Sequence, residues 1–248
     1  MASWAGRAFL VTGAASGIGR ATATHLVEGG ARVALVDRDA DRLGSVAISL
    51  GGDVVAVEAD VTDEAAVAAA LAATIERFGA LHGVVTSAGI FDPADLVDLD
   101  ALDLAVFDRV LAVNLRGTVL VLRAALAHLG AGSAIVTVAS TAGLRGHGMG
   151  PAYTASKGAV VALTRLLAVQ YGARGIRVNC VCPGATAGEG MGAAFADPEL
   201  GPRMARGLPL GRVAQAGEVG AAIAALLSDE MSYVTGQVLA VDGGGTVT

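Results

Sequence analysis

Short, continuously apolar runs recur along the chain, each followed by a small-residue turn and a longer segment with helical spacing of its apolar positions. Phe9–Val11, Val33–Val36, Val54–Val57, Leu81–Thr86, Ala134–Ala139, Arg177–Val181 and Gln237–Val241 read as strands. Gly17–Glu28, Asp39–Leu50, a segment capped by Thr62 and running to Phe78, Ala105–Leu129, Pro151–Tyr171 and Ala216–Leu227 read as helices. Gly29-Gly30 and Gly51-Gly52 stop the first two helices, and Pro151 suits a first helical turn, where its missing N–H costs nothing. Strands that are apolar throughout suit a sheet covered on both faces. Repeated strand–helix units imply a parallel arrangement with right-handed crossovers. No change of composition marks a second domain. The expected fold is α/β: one Rossmann-type doubly wound domain over 1–248, with a mostly parallel seven-stranded sheet in the order 3-2-1-4-5-6-7 and helices on both faces. Residues 90–103, with Pro93 and several Asp, read as loop and short helix, and 188–210 as a flexible substrate lid.

Between the first strand and helix lies Gly13-Ala14-Ala15-Ser16-Gly17-Ile18-Gly19. Three glycines let another molecule approach the backbone, and the free N–H groups and positive dipole end of the helix suit a diphosphate. Asp37 ends the second strand 18 residues after Gly19. That is the place of an acid gripping the adenosine ribose hydroxyls, so NAD is expected rather than NADP. Arg38 beside it could pair with a 2′-phosphate, and Asp37 read alone could simply cap the next helix. Asp60 and Val61, ending the third strand, are candidates for the adenine, although a helix-start aspartate has the same spacing. Ala88 and Gly89 allow close approach of a ribose, or form a plain tight turn.

Tyr153 and Lys157 stand four residues apart on one helix face. An ammonium beside a phenol favours the phenolate, so Tyr153 is expected to move a proton to or from a substrate oxygen while hydride is exchanged with a nicotinamide. Ser140, at the end of the fifth strand, can hold that oxygen. Read alone, Asn114 is a helix-interior polar residue satisfied locally.

These residues carry a resemblance to the short-chain dehydrogenase/reductase family over nearly the whole chain. Thr12-Gly13-Ala14-Ala15-Ser16-Gly17-Ile18-Gly19 resembles its T-G-x-x-x-G-x-G, and Tyr153-Thr154-Ala155-Ser156-Lys157 its Y-x-x-x-K with Ser140 upstream. Asn114 resembles the asparagine that bends the helix and links the lysine to solvent through a water. Pro183 and Gly184 match the turn after strand six, and the ending Tyr233–Gln237 with Val241–Gly244 matches the family's last strand. The resemblance implies catalytic Asn114, Ser140, Tyr153 and Lys157, the last two also contacting cofactor, and a homotetramer. Two places depart from the pattern. N-N-A-G reads Thr86-Ser87-Ala88-Gly89, and the residues two and four after Pro183-Gly184 are Thr186 and Gly188, leaving Thr186 as the partial nicotinamide contact.

Substrate contacts are expected from Ser140, Ala142, His147, Met149 and Tyr153, within walls at 90–94, 141–150 and 189–208. His147 reads equally as a surface histidine, Met149 as loop packing, and Arg203 and Arg206 as either anion contacts or a solvated helix face. Apolar residues make up 54% of the chain and charged ones 16%, with a net charge of −6 and no concentration of Lys and Arg, which argues against a nucleic-acid or anionic-membrane partner. The sparse charge suits subunit contacts. Cys180 and Cys182 are expected to face opposite ways and not to bridge. They suit a reducing cytoplasm, as does an amino-terminal segment without signal-like character. The four histidines show no metal-ligand spacing. The sequence therefore points to an NAD-dependent enzyme interconverting a small secondary alcohol and a ketone. The alternatives are a 3-oxoacyl thioester reductase and a non-catalytic dinucleotide-binding regulator.

Overall fold

The computed structural model describes residues 4–146 and 149–248. Its strands are β1 (Ala8–Thr12), β2 (Arg32–Asp37), β3 (Val54–Glu58), β4 (Gly83–Thr86), β5 (Ala134–Val138), β6 (Arg177–Pro183), β7 (Thr186–Ala187), β8 (Ala214–Gln215) and β9 (Val238–Val241). Seven form one parallel sheet in the order β3-β2-β1-β4-β5-β6-β9. This is the expected order; the C-terminal strand is ninth in the chain because the two-residue β7 and β8 pair only with each other.

Alternation along the strands builds both layers. Ala8 and Leu10 of β1, Ala34 and Val36 of β2, Val84 and Ile135 face one core; Phe9, Val11, Val33, Leu35, Val85 and Val136 face the other. The first core is closed by α3 (Glu64–Phe78), α5 (Thr118–Ala125) and α6 (Pro151–Gly172), and the second by α1 (Gly17–Glu28), α2 (Ala40–Leu50) and α8 (Ala216–Leu227). Each large side chain buried in this way contributes about 1.5–3 kcal/mol of transfer free energy. The remaining helices are α4 (Leu104–Leu111) and α7 (Leu200–Ala205). Among the described residues, no helix is long and apolar enough to cross a membrane.

Several boundaries differ from expectation. Asp63, not Thr62, caps α3: its Oδ1 accepts from the Ala65 and Ala66 amides, while the Thr62 hydroxyl turns back to donate to Asp60. The expected single helix over 105–129 is α4 and α5 joined by a π-helical turn, Ala112–Gly117, and it ends at Ala125. Residues 90–103 hold two 3-10 turns, Pro93–Asp95 and Leu99–Ala101. Cys180 and Cys182 face the same way, with Sγ atoms 3.9 Å apart and unbonded, because residues two apart on a strand share a face.

Candidate active site

Parallel strands bring Thr12, Asp37, Thr86, Val138 and Pro183 to one edge of the sheet, where a cavity of about 780 Å³ opens. Its volume falls in the range of small-molecule sites. One end is lined by Gly13, Ser16, Gly17, Ile18, Gly19, Asp37, Asp60, Val61, Ala88 and Gly89. The glycine turn closes only without side chains: a Cβ at Gly19 would stand 2.1 Å from the Gly13 carbonyl oxygen, and one at Gly13 would stand 2.9 Å from the Ala88 backbone. Asp37 accepts from the Ala15 amide at 3.0 Å through one oxygen and from the Asp39 amide at 3.1 Å through the other. Helix α2 is capped by Asp39, whose amide Asp37 holds, so Asp37 supports that helix start as well as the glycine turn. Asp60 takes both the amide and the hydroxyl of Thr62 at 2.8 Å, and these bonds, led by the amide, hold its carboxyl below the usual range. The Arg38 charge pulls in the same direction. This bare backbone turn, with a carboxylate beyond it, fits the diphosphate and ribose of a dinucleotide.

The opposite end carries the chemistry. Ser140, Tyr153 and Lys157 line the same cavity, with Pro183, Gly184 and Thr186 beside them. The Lys157 Nζ donates to the Val138 carbonyl at 3.0 Å and lies 5.7 Å from the centre of the Tyr153 ring. Burial of the ammonium lowers its pKa to about 8. Burial also raises the Tyr153 phenol above its ordinary value, while a hydrogen bond from Ser140 pulls it down. Burial is the largest of these influences, so the direction is opposite to the expected lowering of the phenol. Asn114 sits in the π turn, 1% exposed; its Oδ1 accepts from the Ile90 amide, and its Nδ2 donates to the Ile90 carbonyl and to Ser156 Oγ. A Cβ at Gly89 would stand 3.2 Å from the Asn114 oxygen and 3.3 Å from Lys157 Nζ, so glycine there lets these two groups approach.

Ala142 and Met149 line the substrate end with Ile90, Phe91, Leu96 and Leu208. His147 lies outside the described residues. Arg203 lines the cavity near Asp197, whose carboxyl is lowered chiefly by the Leu200 and Glu199 amides; Arg206 is not among the lining residues. The Thr186 hydroxyl donates to the Gly184 carbonyl at 3.0 Å. Thr86, where the resemblance would place an amide, leaves a buried hydroxyl without a partner. The segment over 188–210 lies across the glycine turn, with Arg20 donating to both Glu189 oxygens at 2.8 and 2.9 Å. Two structural contributors had no separate signal in the sequence. Thr12 Oγ1 accepts from the Ser87 and Ala88 amides and fixes the end of β4, and Asp95 holds the start of α6.

A family model described as Enoyl-(Acyl carrier protein) reductase matches residues 13–246. The chain is 43% identical over 226 residues to a Xanthobacter autotrophicus protein named inactive 2-(S)-hydroxypropyl-CoM dehydrogenase 2, covering 89% of this chain and 97% of that one. It is 42% identical over 248 residues to the cis-4-hydroxycyclohexanecarboxylate dehydrogenase of Sinomonas cyclohexanicum, covering 98% of each. A crystal structure from Brucella melitensis, titled a short-chain dehydrogenase/reductase of the glucose/ribitol dehydrogenase type, superposes with a TM-score of 0.92 at 32% identity, covering 98% of both chains.

Proposed function

The chain belongs to the short-chain dehydrogenase/reductase family, and we propose on that premise that it is an NAD-dependent dehydrogenase interconverting a small secondary alcohol and a ketone. Family membership brings an NAD(P) cofactor and hydride-transfer chemistry. The observation that carries the reading is the meeting of Ser140, Tyr153 and Lys157 in one cavity with the glycine turn. Bound there, the nicotinamide would exchange a hydride with the substrate carbon. The Ser140 hydroxyl orients the substrate oxygen, Tyr153 carries its proton, and Lys157 supplies positive charge beside the phenol. Asn114 keeps the loop after β4 against Ser156 of the same helix.

Asp37 supports NAD over NADP, since its carboxylate stands at the cavity wall and a 2′-phosphate would meet it. Arg38 lines the same cavity beside Asp37, so its guanidinium is the group through which NADP would compete. Apolar walls from Phe91, Leu96, Met149 and Leu208 favour a largely apolar substrate. Relatives named as dehydrogenases of 2-(S)-hydroxypropyl-CoM and of cis-4-hydroxycyclohexanecarboxylate support a hydroxyl-bearing one. A second reading is reduction of a 3-oxoacyl thioester; the family description names an enoyl rather than a 3-oxoacyl group, and Asp37 and the net charge of −6 count against it. One relative is named inactive, so overall identity does not carry activity; the retained Ser140, Tyr153 and Lys157 oppose a purely regulatory role. Apolar side chains exposed on α6, Leu166 and Val169, support a homotetramer, and the free thiols suit the cytoplasm.

The test is a panel of secondary alcohols with NAD and with NADP, run on the parent and on Tyr153→Phe. Tyr153→Phe should keep NADH binding and lose about 10²–10⁴-fold in kcat. Turnover within a few-fold of the parent would assign the proton to another group.

A further inference from the structure

We propose that Asp95 is a positioning residue for Tyr153, holding the proton-carrying residue by its backbone amide from a loop outside the catalytic helix. The inference rests on the reading of Tyr153 given above.

Asp95 ends the short turn Pro93–Asp95 in the loop after β4, and it is 0% exposed. Its Oδ1 accepts from the Ala152 amide and its Oδ2 from the Tyr153 amide, both at 2.8 Å. These are the second and third residues of α6, whose amides have no partner within the helix. The residue before a helix usually serves them with a side-chain oxygen. Here that residue is Gly150, which has no side chain. The packing shows why: a Cβ at Gly150 would stand 1.7 Å from the Asp95 carbonyl oxygen and 2.4 Å from its Cγ. Glycine at 150 admits Asp95, and Asp95 supplies the missing cap from 58 residues away. Its charge also stands at the positive end of a 22-residue helix.

The same loop holds the other side of the tyrosine. The Phe91 ring meets the Tyr153 ring edge-on, with centroids 5.8 Å apart and planes at 88°. Amide and ring are therefore both gripped by residues 91–95, while Ser140, two residues past β5, bonds the phenol and the Lys157 ammonium of α6 lies 5.7 Å from the ring centre. A cap needed only for stability could have been supplied in the helix's own sequence. This one instead ties the direction of the phenol to the loop that forms a wall of the substrate cavity.

Asp95→Asn is nearly isosteric but turns an NH₂ group toward one of the two amides. The expected result is a cooperative unfolding transition, KM for NAD within about twofold of the parent, and kcat lower by about tenfold or more, as a misdirected proton carrier requires. A reading that needs no substrate is the phenol titration, followed by ultraviolet absorbance in a Tyr171→Phe, Tyr233→Phe background, where Tyr153 is the remaining one of the chain's 3 tyrosines. Its midpoint should move in Asp95→Asn and also in Asp95→Glu, which keeps the charge and changes the reach. A folded variant with parental kcat and parental titration overturns the proposal. So does fast hydrogen exchange at the Tyr153 amide of the unsubstituted chain. A parent without turnover on any alcohol would instead sink the dehydrogenase reading, leaving the titration to decide the positioning role.

Discussion

Asp37 uses one carboxylate oxygen on the glycine turn and the other on the start of α2, so a cavity-wall charge is also a structural tie. Charge-assisted bonds of this kind are worth about 1.5–3 kcal/mol each. Asp37→Ala should therefore raise KM for NAD by about tenfold or more while improving the kcat/KM ratio of NADP to NAD. Steady-state kinetics with both cofactors measures this, and an unchanged ratio would put the ribose elsewhere. Residues recognisable by local spacing, such as Gly13 to Gly19, Asp37 and the Tyr153/Lys157 pair, were legible in the sequence and come together at one cavity. Asp95 was not, because Tyr153 lies 58 residues away and nothing nearby in the chain announces the contact, and Thr12 was legible only as part of the glycine motif, not as the tie to the Ser87 amide 75 residues on. The Tyr153 phenol was misjudged for a related reason. Its largest influence is burial, a property of the assembled core rather than of the lysine four residues on.

At the scale of elements, the turn between β1 and α1 tolerates least. Gly19→Ala puts a methyl group 2.1 Å from the Gly13 oxygen, and backbone on both sides leaves no flexible atom to yield. We expect a loss of stability of about 1–3 kcal/mol or more by denaturant titration, together with loss of NADH fluorescence enhancement on mixing. Parental behaviour in both would show that the turn can open freely. Strands and most helices were readable because apolar runs and glycine stops are local signals. The π turn around Asn114 was not: the run through Ala105–Leu129 keeps a helical pattern across it, and one extra residue per turn leaves little trace in composition. The helix start at Asp63 shows how adjacent cap candidates compete. Asp63 takes two amides, while Thr62 is engaged by Asp60.

Across the whole molecule, the parallel sheet gathers the glycine turn, Asp37, Ser140, Tyr153 and Lys157 at one rim and leaves apolar surface on the outside of α6. Val169 is 82% exposed and Leu166 52%, an arrangement that suits contact with another copy. Val169→Asp should lower the mass seen by light scattering while leaving the circular dichroism unchanged. A parental mass would place the subunit interface elsewhere. The overall architecture was the most legible level, since strand order follows from repeated β–α units and the handedness of their crossovers. How one loop reaches under another was the least. The grip of residues 91–95 on Tyr153 has a further outcome at this scale: the segment that first greets an incoming molecule is mechanically continuous with the group that completes its conversion. Any redesign of what this protein admits through that wall is thereby also an adjustment of how fast it works, and selectivity and speed descend from a single short piece of chain.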